Sequence, residues 1–78
     1  MEQMADGREK WVELVRQWNH TREVAFDLRS QVTHQVTQHL LSGGKAPSPR
    51  VLERVQLLEA EESLLRREMD NLAKAIYL

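Results

Sequence analysis

An all-α fold, two long helices folded back as an antiparallel hairpin, is what this sequence predicts, and three observations predict it. Helix-breaking residues are gathered in one place: "SGGKAPSP", residues 42–49, holds four of the chain's five Gly and Pro, and Gly7 is the fifth. On either side, apolar residues recur at alternating steps of three and four, the period of one helical face. The ends of both periodic segments carry capping residues.

The first segment runs Trp11, Leu14, Trp18, Thr21, Ala25, Leu28 and Val32, and steps of four continue it to Val36 and Leu40. Strict alternation is not sustained, so helix is favoured over strand. Asp6 followed three residues on by Glu9 has the form of a capping box, which puts the start near residue 7, and the breakers that begin at Ser42 put the end near 41. Gly43 and Gly44 follow the last apolar pair, where a left-handed residue closes a helix. Ser48 then Pro49 is an N-cap followed by proline at the first helical position, where its missing N–H costs nothing. The second helix, about 49–77, reads Val51, Val55, Leu58, Glu62, Leu65, Met69, Leu72, Ile76. A connection of residues 42–48 between long helices favours antiparallel neighbours.

Counting outward from the turn pairs Leu40 with Val51, Val36 with Val55, Leu28 with Glu62, Ala25 with Leu65, Thr21 with Met69, Trp18 with Leu72 and Leu14 with Ile76. Glu62 is then the polar member of the seam. Arg29 is the nearest cation to it, unless the carboxylate simply reaches the rim.

The chain is 78 residues with no cysteine, 11 Lys and Arg against 12 Asp and Glu, and a net charge of -1. That is one small domain without a disulfide framework. It lacks the basic excess that marks broad nucleic-acid binding. No apolar run is long enough for a membrane span, and "MEQMADGREK" has no apolar stretch suited to a signal peptide, so a soluble cytoplasmic protein is expected.

No motif carries chemistry. His20, His34 and His39 are never three or four residues apart, so no two share a helical face as metal ligands would. Ser42 and Ser48 are explained by capping, and no glycine-rich elbow surrounds any serine. "GGK", 43–45, is too short for a phosphate loop and "NHT", 19–21, falls inside a helix. No catalytic residue, metal or cofactor is predicted. The end of the second helix, "REMDNLAKAIYL", faintly resembles the short motif of the sporulation aspartyl-phosphate phosphatases. Arg66 and Arg67 stand where that family has Ser-Gln, so the activity is not carried over. Two helices around a glycine-containing turn are also similar in plan to the small co-chaperones of type III secretion.

A single two-helix seam covers each side chain only in part, which is little against the entropy of ordering the chain. The sequence holds further apolar residues off the seam: Val12, Val15, Val24 and Phe26 on the first helix, and Leu57, Leu64 and Leu78, at multiples of seven, on the second. Self-association into a four-helix bundle is therefore predicted. The function predicted is a non-enzymatic interaction module, such as an adapter, small chaperone or regulatory subunit. Its partner or dimer interface is assigned to Trp11, Val15, Trp18, Phe26, Leu57, Leu64, Tyr77 and Leu78. The open end, where both Trp and the Tyr collect, is the expected partner contact. The alternatives are a small regulator of a signalling or secretion protein, or a nucleic-acid-binding four-helix dimer using Arg66 and Arg67. Glu61, Glu62, Glu68 and Asp70 cancel much of the field around those two arginines.

Overall fold

The computed structural model describes the backbone of residues 2–78 and the side chains from Gly7 onward. It is a hairpin of two helices, α1 (Glu2–Ser42) and α2 (Pro49–Tyr77). Its extents are 61 × 17 × 15 Å. A helix of α1's 41 residues is about 61 Å long, so α1 sets the length of the molecule.

The turn is built as its residues require. Gly43 takes φ 70°, and its N–H donates to the His39 carbonyl at 3.1 Å, a left-handed close of the helix. Gly44 N–H reaches the Gln38 carbonyl at 3.2 Å, and the His39 ring Nδ1 hydrogen-bonds the Gly44 carbonyl. Ser48 caps α2, its hydroxyl accepting from Val51 N–H at 3.3 Å, with Pro49 at the first turn.

The beginning of α1 departs from the sequence reading. The helix starts at Glu2 and runs through Asp6 and Glu9, so those two do not form a capping box at its start. Gly7 is instead an interior, buried helical residue. Its lack of a side chain admits α2: a Cβ placed there would lie 3.3 Å from Ile76 Cδ1. Ile76 thus covers Gly7, two turns nearer the start of α1 than the Leu14 to which counting assigned it. Leu14 shares a recess with Leu72.

The seam follows the predicted three–four rows over its middle. Leu14, Thr21, Ala25 and Leu65 are buried, Ala25 to 1 % exposure, and Trp11, Trp18, Leu28, Val32, Val51, Val55, Leu58, Met69 and Leu72 are half-buried. It fails at the turn end, where Val36 is 37 % and Leu40 74 % exposed. Each step of four advances the side chain about 40° past a full turn, so the run Val32, Val36, Leu40 walks off the seam. Gln35 and His39 occupy the three–four positions there.

Arg29 also finds a partner other than the expected one. Its Nε and Nη2 both donate to Glu59 Oε1, at 3.1 and 2.6 Å. Glu62 stays half-buried in the seam row and forms no ion pair among the described residues. Trp18 lies half-buried under the Arg22 guanidinium, 4.7 Å from the ring centroid. Its indole Nε1 is buried and has no acceptor among the described residues.

Candidate interaction surfaces

The Arg29–Glu59 contact fixes which side chains share an edge of the hairpin. Successive helical residues are turned about 100° from each other. Arg29 follows the seam residue Leu28, and Glu59 follows the seam residue Leu58. Residues that follow a seam position therefore lie along one edge in both helices, and residues that precede one lie along the other.

This rule divides the predicted interface. Phe26 follows Ala25, and Val15 follows Leu14, so both belong to the Arg29 edge. Leu57 precedes Leu58, and Leu64 precedes Leu65, so both belong to the opposite edge. Asn71, in the same heptad row as Leu57 and Leu64, lines a recess there with Lys10, Leu14, Glu68 and Leu72. The eight residues assigned from sequence thus do not form one surface. Phe26 is 66 % exposed and Leu57 70 % exposed, facing away from each other.

The open end does gather two of them, Trp11 and Tyr77. Trp11, Ile76 and Tyr77 line a recess of about 460 Å³ with Gly7, Arg8 and Ala73. Gly7 and Ala73 leave the hollow, Trp11 forms an apolar wall, and Arg8 sets a cation beside it. Trp18 lies two turns away beneath Arg22 and is not part of this recess. Leu78 caps α2, its N–H donating to the Lys74 carbonyl at 2.9 Å, and its side chain is in solvent.

One apolar row was missed from sequence. Positions 12, 15, 19, 22, 26, 29, 33, 36 and 40 alternate steps of three and four, a second seam on the outer side of α1. It carries Val12, Val15, Phe26, Val36 and Leu40. The signal was present in the spacing, but Val36 and Leu40 were counted into the first seam. On α2, Leu52 lies one heptad before Glu59, as Val36 lies one heptad after Arg29. The same edge is therefore apolar near the turn.

Arg66 and Arg67 are both exposed, and as neighbours they point about 100° apart, so they form no common face. His20 and His34 are exposed, and His39 is engaged in the turn. Among the described residues no three His, Asp or Glu side chains converge as metal ligands would. No helix is long and apolar enough to cross a membrane, among the described residues. No family model, curated protein or solved structure matches the chain.

Proposed function

We propose that the chain is a non-enzymatic protein–protein interaction module, an adapter, small chaperone or regulatory subunit that presents helical apolar surface to another protein. One observation carries this reading. The chain exposes 6661 Å², whereas a compact protein of its 9.1 kDa exposes about 4,900 Å². Among the described side chains, only Leu14, Ala25 and Leu65 form a buried apolar core, while eleven large apolar residues are exposed. Exposed apolar surface in aligned rows and in a recess is the usual mark of a contact surface.

The recess between Gly7, Trp11 and Tyr77 suits the end or face of a partner helix. A large rigid ring anchors such a contact at low entropy cost, and Arg8 favours an acidic residue beside the apolar one.

A photo-crosslinking residue placed at position 77, in the recess, tests this in the native host, with position 16 on the solvated face as control. The expected result is a discrete adduct with a different protein from position 77, absent from position 16 and lost with Trp11→Glu. Equal adducts at both positions, or adducts between copies of this chain alone, would overturn it.

A further inference from the structure

From the second seam of α1 we infer that two copies of the chain pair through it, α1 against α1 in antiparallel register, with Phe26 on the two-fold axis. The inference rests on the interaction-module reading and names the partner of one surface.

The row is self-complementary in a way a two-fold contact demands, since residue i must meet j while j meets i. Val12 and Leu40 each stand 14 residues from Phe26, so antiparallel pairing sets Val12 of one copy against Leu40 of the other. Polar Asn19 meets polar Thr33 in the same register, and Val15 meets Val36 with a stagger of one residue, about 1.5 Å. Phe26 meets itself, and two offset rings pack well at such a crossing. The row lies about 100° around α1 from the seam with α2, the angle at which a helix in a four-helix bundle touches its second neighbour.

The charges fit as well. Arg22 of one copy falls within one residue of the level of Arg29 of the other, a placement that alone would repel. Arg29, however, carries Glu59 on its guanidinium through Oε1 alone. Glu59 is half-buried on the same edge, and its Oε2 takes no hydrogen bond among the described residues, so it can accept from an incoming Arg22 as the second cation of a shared carboxylate. The opposite edge carries Leu57 and Leu64 on α2 and Leu41 on α1, interrupted by charged residues. Between Leu57 and Leu64 it presents Glu61, and α1 contributes Asp27 and His34 beside them.

Area decides whether such a contact can hold. The hairpin exposes about 1,800 Å² more than a compact chain of its mass, and a standard stable interface takes about 800 Å² from each partner. The second seam spreads five apolar residues, Val12, Val15, Phe26, Val36 and Leu40, along α1, with Asn19, Arg22, Arg29 and Thr33 between them.

The chain has no cysteine, so single introduced thiols report the pairing directly. Phe26→Cys is expected to oxidise to a self-linked dimer. Val12→Cys alone is expected to remain unlinked, its counterpart in the dimer being about 42 Å away along the axis. Val12→Cys mixed with Leu40→Cys is expected to link one copy to the other. Phe26→Glu is expected to keep the helicity of the chain while weakening self-association about tenfold or more, measured by sedimentation. A wild-type monomer at tens of micromolar would overturn the pairing, as would linking of Leu57→Cys with none at Phe26→Cys. A monomer that still forms the adduct at position 77 would overturn this pairing while leaving the interaction-module reading intact.

Discussion

Arg29 spans the hairpin to grip one oxygen of Glu59, and it bypasses Glu62, the carboxylate that lies in the seam itself. The pair is only half covered, at 53 % and 45 % side-chain exposure. Its electrostatic worth in a single hairpin is therefore small. It is the one ion pair among the described residues that joins α1 to α2.

A double-mutant cycle of Arg29→Ala and Glu59→Ala, in the Phe26→Glu background, is expected to give a coupling of about 0.2–1 kcal/mol that shrinks with salt. Denaturant unfolding measures it. A coupling well above that range, insensitive to salt, would show that the pair is buried within one hairpin.

Leu64 and Leu65 are sequence neighbours with opposite environments, 58 % and 8 % exposed. Leu65→Ala is expected to destabilise the hairpin by about 2–4 kcal/mol, as removal of a core side chain does. Leu64→Ala is expected to change stability by about 0.5 kcal/mol or less. Equal losses at the two positions would mean that α2 is rotated from the phase described.

At the turn, Gly43→Ala meets nothing within 4 Å, so its cost is purely that of a left-handed backbone, φ 70°. A loss of about 1–2 kcal/mol is expected, with Gly43→Asn costing less. Gly44 does not take a left-handed φ, and Gly44→Ala is expected to be milder. Thermal unfolding of the three variants in parallel checks the order.

Gly7→Ala makes the opposite forecast. Alanine in a helix interior is better than glycine by about 1 kcal/mol, and the atom it meets is the far end of Ile76, at 3.3 Å on a half-exposed side chain. Stability should rise by up to about that amount, whereas Gly7→Val should lower it by pushing Ile76 off the seam. A loss with alanine would show that Ile76 has no room to turn.

The elements themselves were legible in the residues. Gly43 as the left-handed close, Ser48 and Pro49 as the opening of α2, and the rows through Trp11–Val32 and Val51–Leu72 all lie where local geometry puts them. Hydrogen bonds within a helix and at its caps span only a few residues, so the residues nearby suffice to determine them. Those rows also forced the hairpin, because neither helix can bury its apolar face alone. What the tertiary structure decided was how the two helices are phased across their contact. Gly7 became a site for Ile76 instead of a helix start, and Arg29 chose Glu59 over Glu62. Phe26 and Leu57, both assigned to one interface from the sequence, came to face away from each other. Each outcome depends on register and rotation between residues some 30 or more apart in sequence. Small angular differences accumulate along a helix of α1's length, and only side chains meeting across the seam determine where that rotation comes to rest.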